Sequence, residues 1–329
     1  MLIIWSLVFI LTLIILIKAA DYFTEAAEKI GLSLKIPVFV VGATIVTFGT
    51  TLPEFGTAIM ALLKGQTQLI AANAIGSNIA NILLVIGITA IVAGLLKVKK
   101  RIIDVDFPLL AASTALIIAM LWDKKVTFGE GLVALLAYAV YLAYLIHTER
   151  HAHLHPEGTL PGEDLPLTRA KRHKYQQKER RLILGLVPTL LVSLVFVYFS
   201  ADWLVRSIMN LADLLNVSSA LVATLGLAIG TSLPELVIAI TAVKKGQYEI
   251  ALGNVFGANI FNSLVVIGLP ALFTDLQIDN LTFTVGIPFL VGATFLYIFS
   301  AISKKIHRWD GIIYLLIYAF FVAKMIGWL

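Results

Sequence analysis

A six-residue motif occurs twice in this chain at a fixed spacing, and that duplication limits its architecture more than any other feature. Gly49-Thr50-Thr51-Leu52-Pro53-Glu54 returns 181 residues later as Gly230-Thr231-Ser232-Leu233-Pro234-Glu235. The same offset, with no gap, aligns Lys64-Gly65-Gln66 with Lys245-Gly246-Gln247, Asn78-Ile79 with Asn259-Ile260, and Asn81 with Asn262. Both copies are embedded in apolar sequence. Internal repeats of this kind are a signature of transporter folds.

The solvent for such a chain is not water. Of 329 residues 59% are hydrophobic and only 14% charged, where soluble domains carry charge on roughly a quarter. Apolar runs of about 20 residues are long enough to cross a hydrocarbon core as helices, and the short alternating segments of a β-barrel are missing. Reading the runs between charged or turn-like breaks gives about ten spans. They fall near 2–30, 37–63, 68–95, 104–122 and 127–147, then 182–212, 217–243, 248–273, 281–303 and 309–328. A polar stretch from Thr148 to Arg181, with Pro156, Pro161 and Pro166, separates the two groups. The expectation is an all-α membrane protein of ten transmembrane helices. It comprises a first five-helix repeat over 1–147, a linker over 148–181 and a second repeat over 182–329. The run Leu2–Ile17 lacks a basic leader and a small-residue cleavage site, so it reads as a retained first helix.

Five spans is an odd number, so the second repeat is expected to enter the membrane from the opposite side. Charge supports that inversion. One set of loops holds Lys97, Lys99, Lys100 and Arg101, the basic linker, Lys244 and Lys245, and Lys304, Lys305 and Arg308. The other set holds Lys64, Lys124 and Lys125, and is acidic around Asp275 and Asp279. The positive-inside rule then makes the linker cytoplasmic and sets both termini outside, in a multi-pass protein of the cell membrane. The net charge of +5 is spread between apolar segments rather than along one groove, which argues against a nucleic-acid partner. With no cysteine there is no disulfide framework, thiolate metal site or cysteine nucleophile.

The chemistry is expected at Glu54 and Glu235, each near the middle of an apolar span, where a carboxylate is costly and marks function. Each follows a proline, which cannot donate a backbone hydrogen bond. Gly49 and Gly230 upstream ease an unusual backbone. Helices broken at mid-membrane are therefore expected, with freed carbonyls of the kind that transporters use for cations. At helical spacing Thr47, Thr50 or Thr51, and Glu54 share a face, matched by Ala228, Thr231, Ser232 and Glu235. The next spans add the stripe Asn73, Ser77 and Asn81, matched by Asn254, Ala258 and Asn262. Carboxylates, amides, hydroxyls and carbonyls make an all-oxygen set, which suits a hard cation such as Ca2+. Imidazole and thiolate ligands, suited to softer metals, are missing from the spans. For Thr47 and Ala228 only the backbone carbonyl is a candidate ligand.

Two ionised glutamates carry a charge of −2, which one Ca2+ or two Na+ cancels, and either acid also accepts a proton. Competing loads that neutralise one site are the electrostatic requirement for exchange, since two bare buried charges disfavour passage without cargo. A channel would need a continuous pore of weak sites, and an enzyme a nucleophile or metal beside a base. The central spans contain no histidine, so neither reading fits as well as an antiporter.

At these residues the chain resembles the cation/Ca2+ antiporter superfamily, in particular its prokaryotic Na+/Ca2+ exchanger branch. The resemblance rests on GTTLPE and GTSLPE followed by GSNIAN and GANIFN. It implies a ten-helix fold with four central cation sites and alternating access by sliding of the first and sixth helices. It further implies that Glu54 and Glu235 bind Ca2+ with the carbonyls of Thr50 and Thr231. Flanking Na+ sites would use Thr47, Thr51, Ser77, Ala228 and Ser232, with Asn81 and Asn262 facing each other at the centre. Some relatives carry serine where this chain has Ala258, which leaves the Na+ count open. K+-dependent branches carry aspartate at the position of Asn262, so asparagine argues against K+ coupling.

The alternative on the same fold is H+/Ca2+ antiport. Proton-coupled relatives show Gly-Asn where this chain reads Gly-Thr, and the hydroxyls favour Na+. Beyond the bilayer and the transported Ca2+ and Na+, no cofactor or partner is implied, and a monomer suffices. His151, His153 and His155 form a tract that either binds a transition metal or is simply solvated. The basic run Arg169 to Arg181 is expected to anchor the linker on anionic headgroups. Asp21 and Asp202, also 181 apart, are expected to cap or pair near a membrane boundary.

Overall fold

The structure, a computed structural model, describes residues 1–34, 36–99, 106–154, 169–214 and 219–329. Within these, the side chains of 146–154, 169–182, 219–231 and a few single positions lie outside the description. Apolar sequence with few glycine breaks favours helices, whose backbone polar groups are satisfied within the segment. They are α1 (Leu2–Ser33), α2 (Val38–Thr50), α3 (Leu52–Leu63), α4 (Gln68–Ala93), α5 (Phe107–Met120) and α6 (Phe128–Leu154). The second half adds α7 (Arg169–Leu214), α8 (Ser219–Lys244), α9 (Tyr248–Ala271), α10 (Thr282–Ile302) and α11 (Arg308–Met325).

Six of these helices are long and apolar enough to cross a membrane, or seven if the bent pair α2–α3 counts as one span. The remaining expected spans miss for identifiable reasons. Helix α5 has 14 residues, or about 21 Å at the usual helical rise. Helix α11 carries Arg308, Asp310 and Lys324 within 18 residues, and α8 begins among residues whose side chains are not described.

Burial orders the bundle into layers. The apolar windows of α9 and α4 are 94% and 72% buried, whereas those of α1 and of Ile183–Ser200 in α7 are 17% buried. So α4 and α9 form the core, while α1 and α7 pack against each other on the outside. Ile3, Leu7, Ile10 and Leu11 of α1 and Phe196 and Phe199 of α7 are exposed. An apolar surface of that extent belongs against lipid or another apolar partner.

Two short antiparallel ribbons tie the loops into two groups. Strand β1 (Leu95–Lys97) pairs with β4 (Lys305–His307), and β2 (Lys125–Val126) pairs with β3 (Leu276–Gln277). Lys99 pairs with Glu249, Lys245 lies 3.5 Å from Asp21, and Gln247 bonds Glu28. Loops 95–99, 245–249 and 305–308 therefore gather with the end of α1. In the other group Lys125 lies 2.7 Å from Asp275, and the Gln277 amide donates to Thr67 Oγ1 at 3.3 Å. That group comprises 64–67, 123–127 and 274–280. Asp21 thus pairs across the fold, while Asp202 pairs locally with Arg206 at 2.8 Å.

The polar stretch between the halves is shorter than its sequence suggests. Helix α6 continues to Leu154 and α7 starts at Arg169, because both flanks lack glycine and proline and are rich in good helix formers. The histidine tract and the basic run Arg169 to Arg181 have side chains outside the described residues.

Candidate cation site

The first glutamate is positioned by three changes of backbone. Helix α2 widens into a π-turn over Gly42–Val46, resumes as Thr47–Thr50, and ends at Thr51 with φ −86° and ψ 2°. There the axis bends by 43° into α3. Glu54 falls in the first turn of α3. In the second half the expected break does not occur: Pro234 lies inside the continuous helix α8, whose backbone runs on through the motif. Either proline lacks the N–H that would reach the carbonyl four residues back, at Gly49 or Gly230. Such a freed carbonyl is tolerated in a bundle when other groups satisfy it.

Glu54 and Glu235 are both fully buried, and among the described residues neither carboxylate has a hydrogen-bond partner within ordinary geometry, although the Thr50 hydroxyl approaches Glu235. They lie close enough for their charges to interact. Asn81 and Asn262 are likewise fully buried, with both amide atoms unpartnered. Each opens a π-turn, Asn81–Ile86 in α4 and Asn262–Val266 in α9. One-turn π segments often mark functional sites. Ser232 Oγ and Asn254 Nδ2 are also buried and unpartnered. Buried polar atoms are nearly always paired, so this concentration of orphaned oxygens at the repeated motifs fits a cation ligand set.

The threonines join the two halves. Thr50 Oγ1 lies 3.0 Å from Asn254 Oδ1 and 3.2 Å from the Thr47 carbonyl. Thr47 Oγ1 lies 2.9 Å from the Gly42 carbonyl and 3.1 Å from that of Asn254, and its single proton serves one at a time. Thr51 Oγ1 donates to the Thr47 carbonyl at 2.8 Å, which also receives the Thr51 amide at 2.9 Å. The Thr47 carbonyl, a candidate ligand by sequence, thus already accepts hydrogen bonds. The hydroxyls that donate keep lone pairs for a cation. Asn73 Nδ2 reaches the Glu54 carbonyl at 3.4 Å.

Glycine makes this contact possible. A Cβ at Gly253 would lie 2.2 Å from the Phe39 carbonyl oxygen, and one at Gly257 2.6 Å from that of Ala43. Helix α9 therefore meets the π-turn of α2 backbone to backbone.

The structure unites Thr47, Thr50 and Asn254 by direct contact and brings the two glutamates within each other's field. No hydrogen bond joins Asn81 to Asn262, whose amides were expected to face each other. Ser77 and Ala258 are both buried. The side chains of Thr231 and Ala228 lie outside the described residues.

Two features escaped sequence reasoning. Asn78 Nδ2 donates to the Asn259 carbonyl at 3.2 Å and to Ser263 Oγ at 2.8 Å; the aligned Asn78-Ile79 and Asn259-Ile260 were the available signal. Asp106, at the start of α5, is buried and its charge reaches Tyr141. Among the described residues it is a third buried acid, and its place near the start of a span concealed it.

Comparison with known proteins follows the same two halves. Residues 4–147 and 185–327 match the family model described as sodium/calcium exchanger protein. The inner membrane protein YrbG of Escherichia coli is 32% identical over 84% of this chain and 82% of its own length. The sodium/calcium exchanger MaX1 of Methanosarcina acetivorans is 28% identical over 97% of both. Among solved structures, the sodium-calcium exchanger NCX_Mj soaked with Na+ and Ca2+ covers 98% of this chain and 99% of its own at 28% identity, with a TM-score of 0.78. Its form soaked with neither ion gives 0.80 at the same identity and coverage.

Proposed function

This chain belongs to the sodium/calcium exchanger protein family, and on that premise we propose that it is a secondary-active antiporter exchanging Ca2+ for Na+ by alternating access. Membership makes it a multi-pass membrane transporter of the cation/Ca2+ exchangers rather than a member of a catalytic family. The observation that carries the finer reading is the duplicated pair Glu54 and Glu235, wholly buried and, among the described residues, with no cationic partner and no ordinary hydrogen bond to either carboxylate. Together they bear −2 when ionised. Ca2+ neutralises them at one site of oxygen ligands, which include the carbonyls of Thr50 and Thr231. Two Na+ neutralise them instead, using Thr47, Thr51, Ser77, Ala228 and Ser232 around the shared carboxylates. Asn81 and Asn262 complete the polar centre. Ala258 supplies no hydroxyl opposite Ser77, so one hydroxyl ligand to a flanking Na+ site is missing, and Asn262 disfavours K+ coupling. One chain holds the complete site, so a monomer suffices.

The topology we propose is ten helices in two inverted repeats, 1–147 and 182–329, joined by a cytoplasmic linker over 148–181 with both termini outside. The ribbon pairings support it. At the repeat offset β1 corresponds to β3 and β2 to β4, yet β1 pairs with β4 and β2 with β3. Equivalent loops thus belong to different groups, as inversion requires. The basic group, with Lys97, Lys99, Lys245, Lys305 and Arg308, is the cytoplasmic one by the positive-inside rule.

Proton coupling is separated from Na+ coupling by one assay. In proteoliposomes, Ca2+ uptake driven by a Na+ gradient is expected to persist when an ionophore collapses the pH gradient. Uptake that ignores Na+ and vanishes with the pH gradient assigns H+/Ca2+ antiport instead.

A further inference from the structure

Outside the cation site, α1 and α7 enclose a cavity of about 620 Å3 that opens on the apolar flank of the bundle. Its volume falls in the range of small-molecule and cofactor sites, about 300–1,000 Å3. Ile14 and Tyr22 of α1 and Pro188, Val192 and Phe196 of α7 form its wall, and among the described residues Lys18 is the one charged residue in it. Pro188 cannot donate to the carbonyl of Leu184, which loosens α7 where the cavity lies.

Lys18 has no role in the exchange reading. It sits in the interior of the apolar run Leu2–Gly31, and the residue at its repeat offset is Phe199. The nearby acids of α1 are engaged elsewhere. Asp21 pairs with Lys245, and Glu25 holds Lys29 at 2.5 Å. Among the described ion pairs none involves Lys18. Asp21 is one turn further along and meets the loop that follows α8. Lys18 therefore lies within a side chain's reach of the polar boundary, with its stem against the apolar wall, as snorkelling lysines do.

We propose that this groove binds an anionic phospholipid of the surrounding bilayer, one acyl chain along the α1–α7 wall and its phosphate on Lys18 Nζ. Charge complementarity selects the occupant, because an uncharged lipid fills the wall equally well but leaves the cation unmatched. The lipid would then be an intercalated part of the α1–α7 contact.

Thermal unfolding of the purified chain in a neutral detergent tests this, with phosphatidylglycerol or phosphatidylcholine of matched acyl chains added. Phosphatidylglycerol is expected to raise Tm by several degrees more than phosphatidylcholine in the wild type and in Lys18→Arg, as a ligand specific to the folded state does. The difference disappears in Lys18→Gln. It also disappears in Val192→Trp, which fills the groove from an exposed position without altering charge. Equal shifts with the two lipids in the wild type overturn the proposal, as does a phosphatidylglycerol preference that survives Lys18→Gln. A dimer seen by light scattering that Val192→Trp dissociates also overturns it, by giving the groove to a second copy. Should Lys18→Gln fail to fold, Lys18→Arg and Val192→Trp still decide, since the first must keep the preference and the second must lose it.

Discussion

The Asn78 side chain donates to the backbone carbonyl of Asn259 across 3.2 Å, joining two residues that are 181 positions apart. That separation is the offset of the sequence repeat itself, so α4 and α9 meet where a residue touches its own counterpart. The same amide also reaches Ser263 Oγ at 2.8 Å. Interhelical hydrogen bonds in membranes are individually modest, but an amide that serves two acceptors at the bundle centre also fixes register. Asn78→Ala is expected to cost about 1–2 kcal/mol of stability. Asn259→Ala keeps the accepting carbonyl and removes a buried amide with no partner, so it costs less. Thermal unfolding of the two variants in one detergent checks the order.

The approach of α9 to the π-turn of α2 rests on glycine. A methyl at Gly257 would sit 2.6 Å from the Ala43 carbonyl oxygen and 2.2 Å from Thr47 Oγ1. Gly257→Ala is expected to lose about 1–3 kcal/mol through overpacking and to slow Ca2+ flux by displacing Thr47. Gly292→Ala, where a Cβ meets nothing within 4 Å, should leave both unchanged. Unfolding and flux measured on the same preparations separate the two cases.

Much of this was legible in sequence because the repeat carries it. The offset marked Glu54 and Glu235, the basic residues grouped the loops, and the ribbons join those same loops. Other features depend on packing between distant segments and leave no local trace. The π-turns at Gly42, Asn81 and Asn262 lie in apolar sequence that ordinary helix would also suit. Identical prolines produce a 43° bend after Thr50 and a continuous helix through Pro234, so proline sets the missing N–H but tertiary contacts set the bend. Asn78 was visible as a repeated residue, yet only the meeting of α4 and α9 gives it a partner. Asp106 carries no local signal in the sequence, because burial at a helix start is decided by its neighbours.

The proposed topology sets Lys64 and Lys305 on opposite sides of the membrane. The chain has no cysteine, so Lys64→Cys and Lys305→Cys each provide a unique label. A membrane-impermeant maleimide applied to intact cells is expected to label the first, and to label the second only after the membrane is opened. Labelling of both from one side would contradict the inversion.

The ribbon between β2 and β3 responds to pH through one exposed pair. Hydrogen bonding and charge from Asp275 raise the Lys125 pKa above its ordinary 10.5. A raised lysine pKa stabilises the fold below the unfolded value, and that contribution fades as pH climbs through the folded one. Both side chains are solvent-exposed, so the effect is small and salt-screened. The Tm difference between the wild type and Lys125→Met should therefore be largest near neutral pH in low salt and shrink above about pH 10.5.

The shared carboxylate site is tested most directly by Na+-gradient-driven Ca2+ flux in proteoliposomes, comparing the wild type with Glu54→Gln and Glu235→Gln. Each substitution keeps the side chain's size but halves the charge available to Ca2+, and both are expected to abolish flux while the protein still folds. Wild-type flux from either variant would contradict a single site built on Glu54 and Glu235.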